Sequence, residues 1–248
     1  VSTEPVDDLV EATVSDVPVA VEAVQWFSQA ARQLQEADGW HDTVQRMVEL
    51  AAGLLEADLA VIIGLSPVDD RPRVLAATDF RRADALLSAQ VAAGIFPARQ
   101  AMVNRSSVHV PNLSVDVSWP DLPVYHLSPP LRCVVAFPLL IDDQPLASLG
   151  MYAQQPGAFS DETLELAAAF AEHAAIAFNA AALTEKITNL RVALEHARDI
   201  GAAVGIIMER QKITQAEAFD RLRLASQNRN VKLYELALNT VLTGDIPQ

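Results

Sequence analysis

No proline interrupts the chain between Pro156 and Pro247, and no glycine between Gly157 and Gly201. Proline removes a backbone donor and clashes with the preceding turn, and glycine costs a helix about 1 kcal/mol relative to alanine. A stretch this long without breakers reads as helix, and Asp161–Glu209 can run as one helix of roughly 70 Å at 1.5 Å per residue. Ser160-Asp161-Glu162 supplies the start, a cap-type hydroxyl followed by two acids at the positive end of the helix dipole. Along it, Leu183, Ile187, Leu190, Leu194 and Ala197 keep a 3–4 spacing, prolonged by Ala180 before them and by Gly201, Val204 and Met208 after. This is a heptad seam, and it predicts pairing with a second helix and therefore a homodimer. Lys186 and Arg191 would face each other as like charges in a parallel pair and oppose that geometry. The competing reading is a stripe that packs onto its own domain.

Upstream, residues 1–21 are acidic and aperiodic and read as a flexible leader. Apolar spacing is helical from Val21 to about Leu55, with Asp38-Gly39 dividing two halves. Short apolar runs at Leu59–Leu65 and Arg73–Thr78 read as strands, followed by helical stretches at Arg81–Ala93 and Pro97–Asn104 and a strand at Ser107–Val110. Five prolines place a long loop at 111–130. Cys133–Ile141 and Pro145–Tyr152 flank Asp142-Asp143-Gln144 as a hairpin. The result is a mostly antiparallel sheet of about five strands, flanked by helices.

The charge is not spread evenly along the chain. The 248 residues carry a net −14, but residues 1–183 hold −15 and residues 184–248 hold +1, and all three lysines (Lys186, Lys212, Lys232) lie in the second part. The acidic body excludes a whole-chain basic footprint for nucleic acid. With 51% apolar residues the chain is not disordered, and one cysteine cannot form a disulfide, a redox pair or a zinc site. A reducing, cytoplasmic setting follows as the expectation, with no secretory signal and no membrane span, Leu166–Leu183 coming nearest to one.

Beyond the long helix, Thr214-Gln215-Ala216-Glu217 is a capping box opening a helix expected to bury Ala218, Phe219, Leu222, Ala225 and Ser226. A break at Gln227–Asn230 leads to a last helix with Leu233, Leu236, Ala237, Thr240 and Val241 on one face. Two short helices cannot bury these faces alone, so they dock on the long helix as a three-helix head. Gly201 and Gly205 are expected to allow that docking by close backbone approach.

The segments Ile200–Arg210 (IGAAVGIIMER), Thr214–Ser226 (TQAEAFDRLRLAS) and Asn230–Ala237 (NVKLYELA) resemble the ANTAR domain, an RNA-binding transcription antitermination module. Residues 22–183 resemble a GAF domain, with Phe137-Pro138-Leu139 before the hairpin and Pro156-Gly157-Ala158-Phe159 before the terminal helix. The resemblance implies an α+β chain: a leader (1–21), a GAF-like antiparallel sheet flanked by helices for sensing and dimerisation (22–183), then a long coiled-coil helix ending in an all-α three-helix ANTAR-like head (184–248). It also implies recognition of paired RNA stem–loops by a dimer. Val204 stands where ANTAR heads often carry Lys, and no receiver domain precedes the head, so phosphorelay control is not carried over.

The groups suited to RNA are Arg198, Lys212, Arg221, Arg223, Arg229 and Lys232 for phosphates or base stacking, with Ser226 and Asn230 as hydrogen-bonding partners. A solvated helical surface is the plain alternative. In the sensory part the cyclic-nucleotide pattern Asn-Lys-Phe-Asp-Glu is absent, and Trp119, Tyr125 and His126, with Cys133, are the candidates to line a pocket for an unidentified small-molecule ligand. For Cys133 a small core residue is the competing and favoured reading. The five histidines show no metal-ligand spacing and no catalytic motif is present, so no metal, cofactor or enzymatic activity is expected. Two other functions stay open: a DNA-binding helix-turn-helix regulator, and a protein-interaction module whose head no longer binds RNA.

Overall fold

The computed structural model describes residues 17–66, 69–94, 96–116 and 127–245. Two compact units divide the chain after Ala182. The first begins with helices α1 (Val17–Gln35) and α2 (Gly39–Leu55). Helix α1 therefore starts inside the segment expected as a leader, whose residues 1–16 lie outside the described residues. Strands β1 (Leu59–Leu65) and β2 (Pro72–Ala77), helices α3 (Phe80–Ala93) and α4 (Pro97–Asn104), and strands β3 (Val108–Val110), β4 (Cys133–Ile141) and β5 (Gln144–Ala153) follow. The sheet order is β2-β1-β5-β4-β3, every pair antiparallel.

Helices cover both faces of this sheet, which is why β1 is buried along six consecutive residues and shows no apolar–polar alternation. On one face Ile62, Val135, Leu149 and Met151 meet Val44, Met47 and Ala51 of α2. On the other, Leu59, Val61, Ile63 and Tyr152 meet Ala83, Leu86 and Leu87 of α3. Asp142 and Asp143 join β4 to β5 as a two-residue turn with φ of 48° and 60°. Two left-handed residues match the right-handed strand twist, and aspartate tolerates that conformation better than most side chains.

Helix α5 (Asp161–Gln211) is a single uninterrupted element, two residues longer than expected. The Ser160 hydroxyl accepts from the Thr163 N–H at 3.3 Å to cap it. By length and composition alone, α5 would pass as a membrane span. Its apolar residues have another use: Ala167, Phe170, Ala171, Ala174 and Phe178 are buried in the sheet's core. Trp26 and Trp40 meet Phe170 and Phe178 edge-on, with ring centroids 5.3 and 4.5 Å apart.

The second unit contains the rest of α5 with α6 (Gln215–Arg229) and α7 (Leu233–Thr243). Its core is Ala203, Val204 and Ile207 of α5, Ala218, Leu222 and Ala225 of α6, and Leu236 and Ala237 of α7. The head departs from the sequence expectation at two places. Phe219 stays 40% exposed, because only positions 218, 222 and 225 share the inward stripe. Helix α6 also continues to Arg229, so the break falls at Asn230–Lys232.

Gly201 and Gly205, expected to allow close backbone approach, do not do so. Apart from its chain neighbours and the helix's own backbone, a Cβ on Gly201 or Gly205 would meet no atom within 4 Å among the described residues. Two residues turn a helix by about 200°, so both glycines face away from Ala203 and Ile207, where α6 and α7 dock. Glycine is not what brings the head together.

Candidate nucleic-acid interface

The head is held by polar contacts at each corner. Thr214 and Glu217 form the expected capping box: Glu217 N–H donates to the Thr214 hydroxyl, and the Thr214 N–H and hydroxyl donate to Glu217 Oε2 at 2.8 Å each. These bonds, with the nearby Arg221 as a smaller cause, hold the Glu217 carboxyl below the usual carboxylate range. Asn230 takes φ +52° and ends α6, and the Ser226 hydroxyl donates to the Val231 carbonyl at 2.6 Å across the same turn. Arg210 reaches from α5 to the carbonyl of Gly244, which ends α7 at φ +73°.

On this frame Arg198, Lys212, Arg221, Arg223, Arg229, Asn230 and Lys232 are all exposed, and none enters the core. Their electrostatic states differ. Lys212 pairs with Glu209 at 2.5 Å and Arg223 with Asp220 at 3.2 Å, whereas Arg198, Arg221 and Arg229 make no ion pair among the described residues. Of the two hydrogen-bonding partners read for RNA, Ser226 commits its hydroxyl to the α6–α7 turn, whereas Asn230 commits its backbone N–H there and keeps an exposed side chain. Val204 is 5% exposed, so the position where ANTAR heads often carry Lys contributes apolar packing in this chain. The seam residues Leu183, Ile187, Leu190, Leu194 and Ala197 are exposed within a single chain, Leu194 to 70%.

In the body, Trp119, Tyr125 and His126 lie outside the described residues. Cys133 is fully buried in the core that includes α2 and α5 residues, and burial pushes its thiol up. It lines neither of two open cavities of about 430 and 350 Å³, the first between α3, α4 and the β1–β2 connection and the second beside β4. A buried polar pair escaped sequence reasoning. Gln90 of α3 donates to the Tyr152 hydroxyl at 3.3 Å, while Gln90 Oε1 is buried with no partner among the described residues. Burial pushes the Tyr152 hydroxyl up to about 12. Tyr152 and Gln90 sit amid aliphatic neighbours with no local motif, so only the three-dimensional pairing reveals them.

The GAF domain family model matches residues 37–179, more than half of the chain, and the ANTAR domain model matches residues 188–239. The chain is a GAF–ANTAR protein. Among solved structures, the GAF domain of a Coxiella burnetii phosphoenolpyruvate-protein phosphotransferase (ptsP) is similar at 14% identity and a TM-score of 0.54, over 67% of this chain and 98% of that one. The corresponding Acinetobacter GAF domain is similar at 13% identity and a TM-score of 0.50, over 66% and 95%. The Stigmatella aurantiaca phytochrome photosensory core module is similar at 15% identity and 0.55, over 93% of this chain and 47% of that one. At these identities the likeness concerns the fold alone. No curated protein matches the chain. A GAF sensory domain followed by an ANTAR RNA-binding domain is the architecture of a signal-regulated antitermination regulator in general.

Proposed function

We propose that this GAF–ANTAR protein is a cytoplasmic, non-enzymatic homodimer that binds paired stem–loops in nascent transcripts and holds them in an antiterminating form. The GAF domain receives the signal, through an unidentified small-molecule ligand. The signal changes how two α5 helices pair and so sets the spacing of two heads. The observation that carries this reading is the ANTAR match over a head whose six basic candidate contact residues all lie exposed outside its core.

The exposed seam supports the dimer. Fully burying a leucine or isoleucine is worth about 1.5–3 kcal/mol, and Leu183, Ile187, Leu190 and Leu194 are each at least half exposed in one chain. A second copy of the same helix supplies a matching heptad face.

The test is competition between a labelled tandem-hairpin RNA and duplex DNA for the purified chain. Preferential retention of the RNA supports the reading, and preference for the duplex replaces it with DNA regulation. The ion pairs at Lys212 and Arg223 favour one second reading, a head that has lost RNA and serves a protein partner. In that case no RNA binds at any salt concentration while the dimer persists.

A further inference from the structure

His196 on α5 and Tyr234 in the first turn of α7 stack face to face, with ring centroids 3.7 Å apart and planes 9° from parallel. Both are half-buried, and neither belongs to the head's apolar core. The Tyr234 hydroxyl donates to Glu235 Oε1 at 3.1 Å, which steadies the ring. Lys232, the residue preceding α7, holds its Nζ 5.8 Å from the Tyr234 ring centroid. Two parallel rings and a cation thus form a short column at the surface of the head.

The chemistry of such a column matches a nucleic-acid base. Residues 184–248 carry a net charge of only +1, too little for phosphate attraction to supply most of the affinity. Stacking of an unpaired base on an aromatic face supplies affinity that does not depend on bulk charge, worth about 5- to 150-fold per base. A fully paired duplex has no free base face to offer, whereas a hairpin loop does.

We infer that the His196–Tyr234 column, with Lys232 beside it, is a stacking platform for one unpaired base of a bound RNA loop. This deepens the RNA-binding reading above and rests on it. The base extends the column, and the Lys232 ammonium meets the adjoining phosphate. The platform is therefore what selects a loop over a helical stem.

The experiment uses the full chain and a stem–loop RNA that the chain itself enriches from a pool with a randomised loop. Each loop nucleotide is made abasic in turn, and each loop purine is replaced in turn by 2-aminopurine, whose fluorescence is quenched on stacking. One abasic position is expected to weaken binding of the wild-type chain about tenfold and to cost Tyr234→Leu nothing. Tyr234→Leu is expected to bind the intact loop about tenfold more weakly with the slope against salt unchanged, while Tyr234→Phe retains affinity. At the stacked position, or at its neighbour where the base is a pyrimidine, 2-aminopurine is quenched by the wild type and Tyr234→Phe only. The wild-type arm needs no variant to fold: if every abasic loop binds like the intact one, the proposal fails. It fails equally if Tyr234→Leu binds as wild type, or if Tyr234→Phe loses binding, because the ring is then not the contact. A wild-type chain that binds no member of the pool overturns the RNA-binding reading itself, and the platform with it.

Discussion

The Ser226 hydroxyl donates to the Val231 carbonyl at 2.6 Å, closing the turn between α6 and α7. The Val231 N–H returns a bond of 3.1 Å to the Ser226 carbonyl. A residue that reads from the sequence as a free donor for RNA is therefore committed to positioning the last helix. Ser226→Ala is expected to destabilise the head by about 1 kcal/mol, the net worth of one such hydrogen bond. Its RNA affinity, measured well below the melting temperature, is expected to change less than twofold. Thermal denaturation followed by circular dichroism, with binding titrations in parallel, checks both.

The unequal pairing of the basic residues gives a ranking. Arg221 and Arg229 make no ion pair among the described residues, whereas Lys212 and Arg223 already face Glu209 and Asp220. Replacing Arg221 or Arg229 by alanine is expected to flatten the dependence of log K on log salt by about 0.7–0.9 for each phosphate left without its cation. Lys212→Ala is expected to have the smaller effect. Asp220→Asn frees Arg223 and is expected to strengthen RNA binding. Titrations at four salt concentrations separate these outcomes, and identical slopes for all the alanine variants would contradict the ranking.

The seam predicts a dimer that can be broken without damage to the chain. Ile187 and Leu190 are 51% and 55% exposed in one chain, so a charge there disturbs no intrachain core. Leu190→Glu is expected to give a monomer by sedimentation, with the helical circular dichroism of the body and head preserved. An unfolded variant would show instead that the stripe packs within the chain.

The Gln90–Tyr152 pair carries a stability prediction with a sign in pH. Tyr152→Phe strands the Gln90 amide in the core and is expected to cost about 1–3 kcal/mol, most of it recovered by adding Gln90→Met. The Tyr152 hydroxyl ionises later in the folded chain, near 12, than in the unfolded one, near 10. Its contribution to stability is therefore complete below about pH 10 and is lost as pH rises toward 12. Of three tyrosines, one is expected to develop tyrosinate absorbance only near pH 12, and that step disappears in Tyr152→Phe.

The elements with regular periodicity were legible before the fold. The unbroken α5, the Asp142-Asp143 hairpin and the capping box at Thr214 each follow from local chemistry that the chain states directly. What escaped depends on the relative rotation of elements. Gly201 and Gly205 look like packing positions by type, yet the helix phase set by Ala203 and Ile207 turns them outward. Phe219 looks like core by hydrophobicity and falls at its edge. His196 and Tyr234 are 38 positions apart in sequence and become neighbours only through the docking of α7 on α5.

In the proposed assembly two copies of this chain, joined by their long helices, present two heads to two stem–loops. Sedimentation velocity of the full chain at micromolar concentration, alone and with an RNA carrying two tandem hairpins, tests it most directly. A dimer in both conditions, saturating at two chains per tandem RNA and one head per hairpin, is the predicted result. A chain that remains monomeric with and without the RNA would contradict it.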